Sequence, residues 1–192
     1  MIEEIKNFLT EEECKQLIEI SIKEIQSCVD NNGSFMKMHP IEIKNYDSEI
    51  FKKIKKFISN KTNLPIENQE NIIAIRYDQG GTYAEHYDSF LKPVDNSIFT
   101  KQFYEQSMSS GGQRKYTVII YLNDDFSGGD TYFLKLNKKI KPEKGKFVYW
   151  NNLDENGDTN LNMMHAGTAV LSNYKWILVC YIRENKYENK CQ

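Results

Sequence analysis

Tyr83-Ala84-Glu85-His86-Tyr87-Asp88 reads as the body of one short strand, Thr82–Asp88. Side chains in a strand alternate faces, so His86 and Asp88, two apart, are expected to point the same way. An imidazole and a carboxylate one pleat apart can close on a single metal ion. A second imidazole at right angles would complete a two-histidine, one-carboxylate set, which leaves three coordination positions open on an Fe(II) ion. The chain has only three histidines, at 39, 86 and 165. His39 precedes Pro40 with no ligand-type residue beside it and reads as a loop or edge histidine, which leaves His165.

Outward from that stretch the pattern keeps a period of two. Asn71–Asp78, Thr82–Asp88, Tyr116–Asn123, Thr131–Leu136, Lys146–Asn151, His165–Leu171 and Trp176–Arg183 are strand-like runs. Gly80-Gly81, Gly128-Gly129, Pro142–Gly145, Gly157 and Ser172-Asn173 punctuate them as turns, with a tight turn or close backbone approach expected at Gly128 and Gly129. Upstream the period is helical. Thr10-Glu11-Glu12-Glu13 is a capping box. It opens a helix with Cys14, Leu17, Ile18, Ile22, Ile25 and Val29 on one face, ended by Asn31-Asn32-Gly33-Ser34. Met36, Met38, Ile41 and Ile43 alternate and allow a strand. Asp47-Ser48 opens a second helix with Ile50, Phe51, Ile54, Phe57 and Ile58 on one face and Lys52, Lys53, Lys55 and Lys56 opposite.

Helices followed by many short strands predict a mainly β fold with N-terminal helices, a jelly-roll or double-stranded β-helix of the cupin-like kind. We expect a single domain over residues 1–192, with a helical buttress over 1–66 and a β core over 71–184. The polar tail Glu184–Gln192 is expected to fray. Ser89 to Arg114 is a long connection holding Phe90, Leu91, Val94, Ile98, Phe99, Phe103 and Tyr104. It reads either as a lid or binding loop, or as a packed excursion with a short helix.

Composition narrows the function classes. The 192 residues are 40% hydrophobic and 27% charged, with a net charge of −2. That is ordinary for a globular protein and supplies no basic field for nucleic acid or an anionic membrane surface. The lysine-rich helix face carries no interleaved aromatics for base stacking and reads as a solvated side. The N-terminus lacks the basic-then-apolar pattern of a signal peptide, and no run is long enough to span a bilayer, so a cytoplasmic location is expected. Four cysteines, at 14, 28, 180 and 191, show no C-x-x-C or zinc spacing and fit reduced thiols, with Cys14 and Cys180 in the core.

Lys175 extends the candidate site. It follows His165 after the Ser172-Asn173 turn, and a hairpin of that length is expected to return it beside the strand of His165. A 2-oxo acid can chelate Fe(II) through two of the open positions, with O2 at the third. If that acid is 2-oxoglutarate, its far carboxylate needs a fixed cation and hydroxyl donors. Lys175 offers the cation, and Thr117 or Tyr77 a hydroxyl. Tyr121 shares a face with Thr117 and Ile119 and competes as donor.

With these residues the chain resembles the prolyl 4-hydroxylase family of Fe(II)/2-oxoglutarate dioxygenases. The matching motifs are Arg76-Tyr77-x-x-Gly80-x-x-Tyr83-x-x-His86-x-Asp88, then Gly112-Gln113-Arg114-x-x-Thr117-Val118-x-x-Tyr121-Leu122-Asn123. Gly128-Gly129-x-Thr131-x-Phe133, Lys144-Gly145-Lys146, His165-Ala166 and Lys175-Trp176 follow, and Phe8–Cys14 fits at the N-terminus. The resemblance implies His86, Asp88 and His165 as iron ligands and Lys175 as the anchor of the 2-oxoglutarate C5 carboxylate, aided by Tyr77, Thr117 and Tyr121. It implies Tyr83 and Arg114 as substrate-binding residues, and Fe(2+), 2-oxoglutarate, O2 and L-ascorbate as cofactors.

The implied activity is 4-hydroxylation of a prolyl residue in a peptide or protein, with release of succinate and CO2. Retention of Asp88 favours hydroxylation over halogenation. Thr168-Ala169-Val170 stands where the family commonly has Cys-Pro-Val, and Met163-Met164 precede His165; both departures bear on substrate choice. The alternative is a hydroxylase of a free amino acid or another small molecule. A nucleic-acid demethylase would usually hold 2-oxoglutarate with arginine rather than Lys175. A non-catalytic binding module would have lost an iron ligand or the lysine, and none is lost. The expected partner is a proline-containing peptide or protein, with no nucleic acid and no membrane; oligomeric state is not legible.

Overall fold

Two apolar runs, Thr117–Leu122 and Trp176–Ile182, form the middle of the fold because both of their faces are covered. The computed structural model describes residues 2–28, 37–43, 48–94 and 97–188. Its strands are β1 (Ile2–Ile5), β2 (Met38–Glu42), β3 (Ile73–Tyr77), β4 (Tyr83–His86), β5 (Arg114–Tyr121), β6 (Ser127–Gly128), β7 (Thr131–Phe133), β8 (Lys138–Ile140), β9 (Phe147–Asn151), β10 (His165–Gly167), β11 (Val170–Ser172) and β12 (Lys175–Arg183). Its helices are α1 (Glu11–Cys28), α2 (Glu49–Thr62) and α3 (Ile98–Ser109).

The major sheet has six strands in the order β1-β9-β5-β12-β3-β2. A four-stranded sheet, β4-β10-β7-β8, and the short pair β11-β6 complete the β structure. On one face of the major sheet Val118, Ile120, Leu122, Trp176, Leu178 and Cys180 pack with Leu17, Phe51, Ile54 and Ile58 of the helices. On the other, Ile119, Tyr121, Val148, Trp150, Ile177 and Val179 pack with Phe133, Ile140 and Val170 of the smaller sheets. The fold is the double-stranded β-helix expected, with α1 and α2 against its outer face.

Local chemistry explains the helix starts. Thr10 N–H donates to Glu13 Oε2 at 2.8 Å, and Glu13 N–H donates to Thr10 Oγ1 at 3.2 Å, a reciprocal capping box. Ser48 Oγ accepts from Phe51 N–H at the start of α2. The lysine face of α2 meets the chain's own acids: Lys53 pairs with Glu13, Lys52 with Glu49, and Lys61 with Glu3. Cys14 and Cys180 are buried. The helix-ending residues Asn31–Ser34, and Val29, Met36, Asp47 and Cys191, lie outside the described residues, as do the side chains of Ile25 and Cys28.

Several expectations need correction. The N-terminal Ile2–Ile5 forms an edge strand on β9, and Lys138–Ile140 forms β8. Both segments are too short, and too interrupted by charge, to announce a strand. The run His165–Leu171 divides into β10 and β11. Lys175 does not return beside the strand of His165: β12 pairs with β3 and β5, so the turn after β11 carries the chain across to the other sheet. The tail is tied down as far as it is described, with Asn185 N–H to Gly111 O, Tyr187 N–H to Glu67 O and Glu188 N–H to Ser110 O at 2.8–3.1 Å. The long connection contains α3, of which no residue is buried.

Candidate active site

The pairing of β4 with β10 sets His165 opposite His86. Asp88 lies two residues beyond the end of β4, at a bend rather than on the strand, and its carboxylate still reaches both rings. His86 Nε2 is 3.4 Å from Asp88 Oδ1, and His165 Nε2 is 3.5 Å from Oδ2. One ligand atom from each of the three residues lies within 4.8 Å of the other two.

The surrounding hydrogen bonds prepare these atoms for a cation. His86 Nδ1 meets Ala84 O at 2.7 Å and His165 Nδ1 meets Met163 O at 2.9 Å. A carbonyl only accepts, so each Nδ1 carries a proton, and the Nε2 atoms, turned towards Asp88, are left to take a second proton or a metal ion. Asp88 is 5% exposed and His165 is 4% exposed. Burial would push the Asp88 carboxyl up, but the charge of His165 and the hydrogen bonds from His86 and Thr117 outweigh it and hold it at about 2. Burial pushes His165 down, whereas Asp88 overcomes burial and raises His86. A buried carboxylate flanked by two imidazoles is an electrostatic sink for positive charge, and nitrogen and oxygen donors of this kind fit Fe(II).

Lys175, 2% exposed, enters the same cavity from the facing sheet. It sits opposite Tyr77 in the β12/β3 pairing, its ammonium 4.4 Å from the centre of the Tyr77 ring. Its Nζ donates to Gly129 O at 2.9 Å. It makes no ion pair among the described residues, and burial lowers its pKa to about 8. An unpaired buried cation invites an anionic ligand. Gly129 can approach this closely because both it and Gly128 hold positive φ, +71° and +74°, and a Cβ on Gly128 would stand 2.2 Å from Ala169 O.

The remaining candidates fall into two groups. Tyr121 OH meets Thr131 Oγ1 at 2.7 Å, and Thr131 lines the cavity. Thr117, expected to serve the far carboxylate, instead donates to Asp88 Oδ2 at 2.7 Å and accepts from Asn152 Nδ2 at 2.8 Å. Its position on β5 places its hydroxyl against Asp88, four residues before Tyr121 on the same strand. Tyr83 is 40% exposed, with its ring centre 4.2 Å from that of His86. Arg114 is bound in a fork to Glu70 and lines a groove with Asp88, Phe90, Leu91, Phe99 and Phe103. His39 lies on the edge strand β2 and pairs with Asp78 at 3.0 Å, away from the site.

Asn152 and Glu70 carried no signal in the sequence, and Thr131 entered only as a motif position without a role. Each is a common polar residue whose role depends on a partner from a distant strand. Phe133, a motif position, and Trp150 had no stated link to the site; their rings flank His165 at 5.4 and 5.0 Å and restrict how it can turn.

A family model described as the 2OG-Fe(II) oxygenase superfamily matches residues 72–183. The chain is 37% identical over 142 residues to the "Putative prolyl 4-hydroxylase" of Acanthamoeba polyphaga mimivirus, covering 73% of this chain and 56% of that protein. It is 30% identical over 151 residues to prolyl 4-hydroxylase subunit alpha-1 of Caenorhabditis elegans, covering 78% of this chain and 26% of that protein. The chain thus spans about half the length, or less, of these curated relatives. Among solved structures, viral collagen prolyl hydroxylase from Paramecium Bursaria Chlorella virus-1, in its 2OG complex, superposes with a TM-score of 0.73 at 27% identity. The match covers 95% of this chain and 94% of that one.

Proposed function

The chain belongs to the 2OG-Fe(II) oxygenase superfamily, and on that premise we propose that it 4-hydroxylates a prolyl residue in a peptide or protein. The observation that carries this reading is one cavity holding both a His86–Asp88–His165 donor set and, from the facing sheet, the unpaired buried cation of Lys175. Bound Fe(II), with 2-oxoglutarate and O2 as co-substrates, supplies the oxidation: one oxygen atom enters the substrate C–H bond and the other enters succinate as CO2 leaves.

The protein's own part is to bind, orient and exclude water. His86, Asp88 and His165 hold the metal. The Nε2 atoms are presented by the Nδ1 bonds to Ala84 and Met163, and Asp88 is steadied by Thr117. Lys175 takes the C5 carboxylate, with Tyr77 beside it; Thr131, bonded to the buried Tyr121, lines the same cavity. Ile119, Ile177 and Val179 give the cavity dry walls between these two ends. That dryness strengthens the charge interaction at Lys175.

An extended peptide is favoured over a free amino acid because the groove beside Asp88 is apolar and open. Its walls include Leu91, Phe99 and Phe103, all exposed. The names of the relatives, among them prolyl 4-hydroxylases and a viral collagen prolyl hydroxylase, point to the same substrate class. Tyr83 lines the mouth of the metal site and Arg114 the groove. L-Ascorbate is proposed as a further cofactor on the family resemblance alone.

Incubation with proline-rich peptides, Fe(II), 2-oxoglutarate and ascorbate should add one oxygen atom to proline, read by mass spectrometry, with succinate formed in equal amount. Oxidation of free proline in preference to every peptide would overturn the peptide reading and leave the oxygenase reading standing.

A further inference from the structure

Asp88 is the metal donor that strand pairing does not hold. His86 and His165 sit opposite each other in the β4/β10 register. β4 ends at His86, and Asp88 and Ser89 form a bend beyond it. Among the described residues no backbone–backbone hydrogen bond reaches Asp88, Ser89 or Phe90. Asp88 and Ser89 are nevertheless buried. Thr117 fixes one carboxylate oxygen of Asp88, which orients the side chain but not the main chain that carries it.

Side chains fasten that main chain instead. The Gln113 amide closes on both backbone groups of Phe90. Phe90 N–H donates to Gln113 Oε1 at 2.8 Å, and Gln113 Nε2 donates to Phe90 O at 2.6 Å. This is the two-bond exchange that a residue on a paired antiparallel strand would make, here supplied by a side chain. Gln113 is 5% exposed and is anchored through its own backbone. Its N–H donates to Glu184 Oε2 at 2.8 Å, and its carbonyl accepts from Glu184 N–H at 3.0 Å, just past the end of β12. On the other flank Ser89 Oγ donates to Thr159 Oγ1 at 2.9 Å, and Thr159 is bridged to Leu153. The two residues that follow Asp88 are therefore tied to two different parts of the fold.

We propose that Gln113 is a positioning residue for the metal. By clamping Phe90, with the Ser89–Thr159 pair as a second fastening, it sets the backbone of Asp88 so that the carboxylate faces both imidazoles before an ion arrives. The inference rests on the metal-site reading above. Gln113 acts through Phe90 and makes no hydrogen bond to any of the three donors. Metal–ligand distances tolerate an error of only about 0.2 Å. A carboxylate on an unfastened bend would have to be ordered by the ion itself, and that ordering would lower the ion's affinity.

The test is Mn(II) binding to the metal-free protein, read by titration calorimetry well below the Tm of each variant. Gln113→Met keeps the length of the side chain and removes both bonds to Phe90. It should weaken Mn(II) binding about tenfold or more, the scale of losing a group that orients a metal ligand. A role confined to stability would lower the Tm of the metal-free protein and leave this Kd where it was. A wild-type Kd in Gln113→Met, whatever its Tm, would overturn the proposal.

If Gln113→Met does not fold, Ser89→Ala decides. It removes the second fastening and leaves the first, and it should weaken Mn(II) binding roughly threefold, the scale of one neutral hydrogen bond. A wild-type Kd in that variant would then overturn the proposal. A wild-type protein that binds no Mn(II), or whose binding survives Asp88→Ala, overturns the metal reading and this inference together. A wild type that binds Mn(II) through Asp88 while Gln113→Met keeps its affinity overturns the positioning role alone.

Discussion

His165 stands opposite His86 in the β10/β4 pairing, with ring centres 4.3 Å apart. This single register contact assembles the metal site, because Asp88 follows His86 by two residues and comes with it. A one-residue slip would turn one imidazole to the other face of its strand and away from Asp88. The site therefore depends on the strand pairing as much as on its three donors.

Metal binding should stabilise the fold measurably. With Mn(II) or Fe(II) at a hundred times its dissociation constant the gain is about 2.7 kcal/mol. For a chain of this length that corresponds to roughly 5–11 °C in Tm. Chelation should reverse it, and Asp88→Ala should abolish both the shift and 2-oxoglutarate turnover. A metal-dependent Tm shift that persists in Asp88→Ala would place the ion elsewhere.

The charge state of Lys175 should govern co-substrate affinity. Burial lowers its pKa to about 8 in the free protein. The protonated form binds the carboxylate, so affinity for 2-oxoglutarate should be full below pH 8 and weaken by about tenfold per unit above it. Lys175→Met should bind weakly at every pH and lose that dependence, while metal affinity stays near wild type. Calorimetric titration with 2-oxoglutarate from pH 6.5 to 9.5 reads both outcomes. A flat wild-type profile would remove Lys175 from the site.

Thr117 should report on the metal rather than on the co-substrate. Its hydroxyl donates to Asp88 and accepts from Asn152. Thr117→Val should weaken Mn(II) binding about 10–100-fold, the usual cost of losing a partner of a metal ligand. With saturating metal, KM for 2-oxoglutarate should change little. A large rise in that KM at unchanged metal affinity would return Thr117 to the far carboxylate.

Gly128→Ala should damage stability and co-substrate binding together. The new Cβ would meet Ala169 O at 2.2 Å on a backbone held at φ +74°. We expect a loss of about 2 kcal/mol or more, seen as a Tm roughly 4–8 °C lower. Because Gly129 O holds Lys175, affinity for 2-oxoglutarate should fall as well. A stable variant with wild-type affinity would contradict the close approach of these two strands.

Much of the fold was legible because its signals are local. The capping box at Thr10–Glu13, the apolar faces of both helices and the two-sided apolar runs of β5 and β12 each declare themselves within ten residues or so. β1 and β8 did not, since short strands with alternating charge become strands only when a neighbour pairs with them. The helix α3 could be suspected in the long connection, but its exposed side chains leave no apolar face to read.

Residue type and order were enough to name the donors: the two histidines left once His39 is set aside, an aspartate two residues from one of them, and a lysine beyond a turn. Residue type and spacing suffice there, because metal and carboxylate chemistry limit which side chains qualify. Only the tertiary structure decided how they meet. Lys175 crosses to the sheet facing His165, Thr117 serves Asp88, Tyr121 finds Thr131, and Glu70 gathers two arginines from β5 and β12. These are contacts between strands far apart in the chain. Their partners are set by pairing register and sheet packing, which no local window of sequence contains.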